Sequence, residues 1–237
     1  HGGIIAKIER AEAVQNIEAI IDASDVIMIA RGDLAVEMGD AAVPPIQKRL
    51  IRMARERNKA SITATQMMES MIESAIPTRA EVSDVANAVI DGTDAVMLSA
   101  ETASGKHPAA AVMAMDRVCR VAEQEPEVTT SAHRMRAMFH RVDEAIAMAT
   151  MYTANHLAVK AIAALTESGS TVLWMSRISS GVPIYALTSH VETRRKVSLY
   201  RGVYPVVFEV TTSDHATVNK EAIDELRRRG TVRDGDL

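Results

Sequence analysis

Two residues apart in the stretch "IIAKIERAE", Lys7 and Glu9 are an ammonium and a carboxylate at the end of an apolar run. In an extended segment, residues i and i+2 share a face, so Lys7 and Glu9 project together while Ile8 points the other way. A second run ends in "ARGD" and supplies Asp33, which this reading puts in a loop. A third ends in "ATQM" and supplies Thr65, and a fourth ends in "SAET" and supplies Ser99 and Glu101. Two carboxylates with a lysine beside them suit a hard divalent cation such as Mg²⁺ that is also held by a substrate phosphate. Such a site serves chemistry in which negative charge builds on oxygen. Taken singly, each signal has a plainer reading: K-x-E as a solvated pair, "RGD" as a polar loop, Thr65 as a helix cap. Their recurrence at corresponding positions of four successive units favours a site.

The elements that position them are βα units in series. The runs 3–8, 25–30, 60–64 and 94–98 are short and β-branched, and each is followed by a loop and a helix-period stretch. In "PTRAEVSDVANAVIDG", Thr78 and Glu81 make a capping box. Val82, Val85, Ala86, Val89 and Ile90 form the expected apolar face, and Gly92 is the stop. Strands alternating with helices imply a parallel sheet, open or part of a barrel, with ligands at its carboxyl end. "PEVTTSAHR" (126–134) breaks the pattern, so the domains are expected at 1–125 and 126–237. The second is expected to open with a helix over 141–158, with Val142, Ala145, Ile146 and Ala149 inward. Strands follow at 160–165, 183–187 and 202–208.

Composition excludes several classes. With 237 residues, 47% hydrophobic and 24% charged, the chain is ordinary for a globular protein. A net charge of −4 and seven aromatic residues argue against a nucleic-acid partner. The absence of an apolar run of bilayer length argues against a membrane partner. Cys119 reads as a packed thiol in a reducing, cytoplasmic setting, and no histidine or cysteine spacing suggests zinc. The basic runs 194–196 and 227–229 read as solvated helix faces, and "TQMMESMIES" as packing. A start without Met and the closing "RDGDL" suggest a piece of a longer protein. In "LTESGST" (165–171), Thr166, Ser168, Gly169, Ser170 and Thr171 could form either an anion cradle or a turn with an N-cap.

The segments "AKIERAEAV", "ARGDLAVEMG", "ITATQMMESMI" and "PTRAEVSDVANAVIDGTDAVMLSAETASGKHP" closely resemble the pyruvate kinase family, in a bacterial form. The resemblance runs along essentially the whole chain. It implies the last four strands of a (β/α)₈ TIM barrel, then most of an α/β C-terminal domain with a mainly parallel sheet. It implies phosphoryl transfer from phosphoenolpyruvate to ADP, giving ATP and pyruvate, with Mg²⁺ (or Mn²⁺) and K⁺. The implied parent is a cytoplasmic homotetramer with a phosphorylated allosteric effector. Carried residue by residue, Glu9 and Asp33 are implied metal ligands, and Lys7 neutralises charge on the phosphoryl group and enolate. The backbone N–H groups of Arg31, Gly32 and Asp33 receive the substrate carboxylate. Thr65 lies by the enolate carbon, and Ser99 and Glu101 are candidates for a proton relay. Thr166, Ser168, Gly169, Ser170 and Thr171 are implied to hold an effector phosphate. Residues for the K⁺ site are not among those matched. Ala35 stands where the family usually has glycine, which would strain the loop if the backbone there needs φ > 0. Two alternatives are a barrel lyase or aldolase of the phosphoenolpyruvate/pyruvate type and a non-catalytic module binding a phosphate ligand.

Overall fold

The computed structural model describes residues 2–129, 139, 141–157 and 159–237. The chain divides into two compact units, His1–Val128 and Thr129–Leu237. Residues 130–134 of the break at 126–134, and Ala158 at the end of the expected long helix, lie outside the described residues.

The first unit repeats strand then helix. Its strands are β1 (Ile5–Ile8), β2 (Val26–Ala30), β3 (Ala60–Ala64) and β4 (Ala95–Met97). After β1 come α1 (Ala11–Gln15) and α2 (Ile17–Ala23); after β2 come α3 (Arg31–Met38) and α4 (Val43–Glu56). After β3 comes α5 (Arg79–Ile90); after β4 come α6 (Ala100–Ala103), α7 (Pro108–Ala122) and α8 (Pro126–Thr129), the last ending at the division between the units. The four strands lie parallel in chain order, β1-β2-β3-β4. Neighbouring order without a reversal is that of a barrel segment rather than of a doubly wound open sheet.

Register sets which side chains share a face. Lys7 pairs with Met28, Met28 with Ile62 and Ile62 with Ala95, so these four stand in one row. The alternate residues Ile8, Ile27 and Ile29 are buried with Ile21, Leu34, Leu50 and Ile51 from the helices. Met67, Met68 and Met71 are fully buried and pack with Val85, Ala88 and Ala114, the packing role expected of the methionine-rich segment. Cys119 is half-buried and packs against the same cluster.

Local chemistry explains the helix ends. Thr78 accepts the Glu81 N–H while the Glu81 carboxylate accepts the Thr78 N–H, a complete capping box. Past the end of α5, Gly92 has φ +92, a left-handed value that favours glycine. The buried face of α5 is Val85, Ala88 and Val89, with Val82 exposed, because α5 packs against α7 on that side. Ala35 lies inside α3 and is not among the positive-φ residues, so alanine there is unstrained.

The second unit holds α9 (Val142–Leu157), β5 (Ile162–Leu165), α10 (Ser170–Ser176), β6 (Ile184–Thr188), α11 (Val191–Val197), β7 (Val203–Val207) and α12 (His215–Arg228). Its sheet is parallel in the order β5-β6-β7. The inward face of α9 differs from the expected one: Ala147, Met151 and Ala154 are buried, while Val142 and Ile146 are 77% and 59% exposed. The stripe at 147, 151 and 154 has i, i+4, i+7 spacing, and α9 packs against α10. Arg194 to Lys196 fill the last turn of α11, and Arg227 to Arg229 are exposed and paired with Asp224, Glu225 or Asp234, solvated faces as expected.

Candidate active site

At the carboxyl end of β1, Lys7 Nζ lies 2.5 Å from Glu9 Oε2 and 3.5 Å from Asp33 Oδ2. The register brings Glu9 past the end of β1. Helix α3 begins directly after β2, so Asp33 stands in its first turn rather than in a loop. A carboxylate in the first turn also meets the positive end of the helix dipole. The Glu9 carboxylate raises the Lys7 pKa above its ordinary value by hydrogen bonding and by charge, Asp33 adds to this, and partial desolvation opposes it. Lys7 is therefore a firmly charged ammonium at neutral pH. Open clefts of about 520 Å³ and 400 Å³ flank the group, with Lys7, Glu9 and Arg10 lining both.

Glu9 Oε2 is shielded from solvent, and apart from the Lys7 ammonium no hydrogen-bond donor among the described residues is directed at it. A buried carboxylate oxygen short of donors suits a cation. Among the described residues no cluster of three or more metal-ligating side chains exists. Two carboxylates alone match Mg²⁺ or Mn²⁺, which keeps waters and takes further oxygens from a phosphate. No residue of the chain is assigned to K⁺.

The adjoining turn is strained. Thr65 has φ +68 and Gln66 φ +54, left-handed values that a β-branched threonine rarely adopts. Each such residue costs roughly 1–3 kcal/mol. The buried Arg31 side chain spans the turn: Nη2 donates to Thr65 O at 2.8 Å and to Gln66 O at 2.9 Å, and Nε donates to Thr65 O at 3.2 Å. Its other end meets Asp84 at 2.7 Å. Hydrogen bonds from a charged donor contribute roughly 1.5–3 kcal/mol each, enough to offset the strain. The Thr65 hydroxyl accepts the Gly32 N–H at 2.7 Å and lies 2.6 Å from the Ala64 carbonyl, to which it donates.

Ser99 and Glu101 form a separate group. Glu101 is buried, and its two oxygens accept the Met68 N–H at 3.1 Å and the Ser99 N–H at 2.7 Å. Its carboxylate ties the loop after β3 to the loop after β4, and no bond joins it to Lys7, Glu9 or Asp33. Glu81 similarly ties Ser70 to the start of α5, accepting from the Ser70 N–H and hydroxyl at 2.6 Å each. Sequence reasoning missed the Arg31 side chain, Asp84 and the second task of Glu81. "PTRAE" signals the cap but not its distant partner.

In the second unit, the loop between β5 and α10 places Gly169 at φ +83, where a Cβ would lie 2.7 Å from Val197 Cγ1. The buried Thr166 hydroxyl accepts the Gly169 N–H at 3.0 Å and so shapes the loop from within. The Ser168 and Ser170 hydroxyls lie 2.9 Å apart at the surface, and Thr171 is half-buried beside them.

Comparisons with known proteins agree over the whole length. Residues 1–112 match the family model "Pyruvate kinase, barrel domain", and residues 144–237 match "Pyruvate kinase, alpha/beta domain". A pyruvate kinase of Buchnera aphidicola from Acyrthosiphon pisum is 58% identical over 99% of this chain and 49% of its own length. Pyruvate kinase II of Salmonella typhimurium gives the same 58%, 99% and 49%. The crystal structure of a pyruvate kinase from Cryptosporidium parvum superposes with a TM-score of 0.92 at 38% identity, covering 99% of this chain and 48% of that one. The chain thus spans about half the length of the curated relatives it matches. Two family models that together take in most of the chain, and relatives this similar, show that it belongs to the pyruvate kinase family, as the second part of a (β/α)₈ barrel followed by an α/β domain.

Proposed function

We propose that this chain supplies part of the active site and the regulatory domain of a pyruvate kinase, which transfers a phosphoryl group from phosphoenolpyruvate to ADP and protonates the enolate to give pyruvate. The observation that carries the reading is the Lys7 ammonium held between Glu9 and Asp33 at the carboxyl end of the parallel strands. A phosphoryl group in transfer and the enolate oxygen it leaves both concentrate negative charge, which a fixed ammonium stabilises most when that charge is largest.

Glu9 and Asp33 would hold Mg²⁺ or Mn²⁺, which when bound supplies Lewis-acid neutralisation of phosphate and enolate oxygens. Lys7, between the same two carboxylates, would act by its charge on the phosphoryl group in transfer and on the enolate oxygen. The first turn of α3 offers the Arg31, Gly32 and Asp33 N–H groups to the substrate carboxylate. The Thr65 hydroxyl accepts the Gly32 N–H, so a carboxylate received by that N–H would free the hydroxyl beside the enolate carbon. Ser99 and Glu101 would act one layer back, Glu101 by fixing the loops that carry Met68 and Ser99. In the second unit, the surface hydroxyls of Ser168, Ser170 and Thr171 would receive the phosphate of an activating metabolite, with Thr166 and Gly169 shaping the loop. The parent would be a cytoplasmic homotetramer. Among the described residues no helix is long and apolar enough to cross a membrane.

The test is pyruvate formation from phosphoenolpyruvate and ADP, coupled to lactate dehydrogenase, by the full-length protein that carries this chain. The reading requires turnover that depends on a divalent cation. A folded full-length protein without it would contradict the reading. The 237-residue chain alone is expected to give none, because Ile4 and Ile5 at the β1 edge are exposed and the site is lined from one side only. Measurable turnover by this chain alone would contradict that.

A further inference from the structure

Arg31 is 6% exposed, and its guanidinium turns away from the clefts around Lys7. It collects the Thr65 and Gln66 carbonyls, the Met67 sulfur at 2.9 Å, Gln47 Oε1 at 3.4 Å and the Asp84 carboxylate at 2.7 Å. Gln47 passes the contact on to Asp91 at 3.0 Å, and Lys48 pairs with the same carboxylate. The residues it spans, Thr65 and Gln66, are consecutive and both left-handed, although neither is glycine. A turn of that shape persists only where its surroundings over-determine it.

We propose that the Arg31 side chain is a positioning residue for the protonation half of the reaction: with Asp84 behind it, it holds the 65–66 turn in its strained form and so aims the Thr65 hydroxyl. The inference rests on the phosphotransferase reading, and it concerns the side chain rather than the backbone N–H of Arg31. Arginine suits the place because its fork reaches two adjacent carbonyls and a carboxylate at once, which a lysine ammonium cannot do. Without it, Thr65 and Gln66 relax toward ordinary φ values and the hydroxyl leaves its station by an ångström or more. A displacement of that size costs on the order of 10²-fold in rate.

The test separates positioning from charge. In the full-length enzyme, Arg31→Met is expected to lower kcat about 10²-fold with KM for phosphoenolpyruvate changed less than about threefold. A glycine at 66 adopts positive φ without strain. Arg31→Met/Gln66→Gly, measured against Gln66→Gly alone, should therefore show a defect reduced to about tenfold or less. If the defect is undiminished, or if Arg31→Met retains near-normal kcat, the proposal is overturned. Should Arg31→Met fail to fold, Asp84→Asn with and without Gln66→Gly reads the same coupling, and no relief by glycine again overturns it. A readout independent of activity is amide exchange in the full-length protein: the Met68 N–H, which Glu101 accepts at 3.1 Å, should lose protection in Asp84→Asn and regain it with Gln66→Gly. If exchange follows this pattern while the full-length wild type forms no pyruvate, the phosphotransferase reading fails and the clamp stands. Unchanged exchange refutes the clamp.

Discussion

The Gly32 amide donates to the Thr65 hydroxyl across 2.7 Å, joining the first turn of α3 to the end of β3. That contact links the place proposed for the substrate carboxylate to the group proposed to stand by the enolate carbon.

Removing the hydroxyl tests the link. Thr65→Val keeps the branched shape but offers Gly32 no acceptor, and is expected to slow pyruvate formation by about 10–10³-fold. Thr65→Ser should retain most of the rate. Stopped-flow separation of phosphoryl transfer from enolate protonation should place the Val defect in the second step. Equal rates for Val and Ser would remove Thr65 from the chemistry.

Glu81 gives a prediction about stability. Burial alone would push its carboxyl up, but the hydroxyl and N–H of both Ser70 and Thr78 outweigh this and hold it below the usual glutamate value. A depressed folded pKa gives stability that is present above the unfolded value of about 4.3 and is lost as pH falls through the lower folded value. Glu81→Gln should therefore destabilise the chain by about 1–2 kcal/mol at pH 7. In urea melts the gap from wild type should narrow below about pH 4. A gap that stays constant to pH 3 would show that the charge is not what matters.

The loop after β5 tests regulation. Ser168→Ala/Thr171→Ala in the full-length enzyme should weaken activation by sugar monophosphates or AMP by roughly tenfold or more. Maximal rate at saturating phosphoenolpyruvate should be unaffected. Calorimetry across that panel checks binding directly. Undiminished activation by every effective compound would place the effector elsewhere. Glu167, exposed in the same loop, disfavours a second phosphate, so monophosphates should outperform bisphosphates.

Much of the fold was legible because burial and register impose simple periods. The β-branched runs became strands within a residue or two, "ASITA" became β3 without change, and Thr78 and Glu81 made the cap their spacing specifies. The inward face of α9 was not legible. Apolar residues lie on several sides of that helix, so two stripes fit a helical period, and only the neighbour decides for Ala147, Met151 and Ala154 over Val142 and Ile146. Val82 was misjudged on α5 for the same reason, since a small Ala88 lets α7 approach. At the candidate site, Lys7, Glu9 and Asp33 could be grouped because strand ends collect at one end of a parallel sheet. The Arg31 clamp could not be read, because nothing in "TQ" announces two left-handed residues against their own preference. Nor does the spacing of Glu101 reveal that its carboxylate is occupied by the Met68 and Ser99 amides.

The central claim is that the Lys7 ammonium acts on charge that develops during phosphoryl transfer. The direct measurement is Lys7→Met in the full-length enzyme, with steady-state pyruvate formation and equilibrium binding of phosphoenolpyruvate in the presence of Mg²⁺. The account predicts kcat lowered about 10³-fold or more with the dissociation constant changed by less than about fivefold, because an interaction made chiefly in the transition state is lost from kcat. A Lys7→Met enzyme that turns over near the wild-type rate would contradict it.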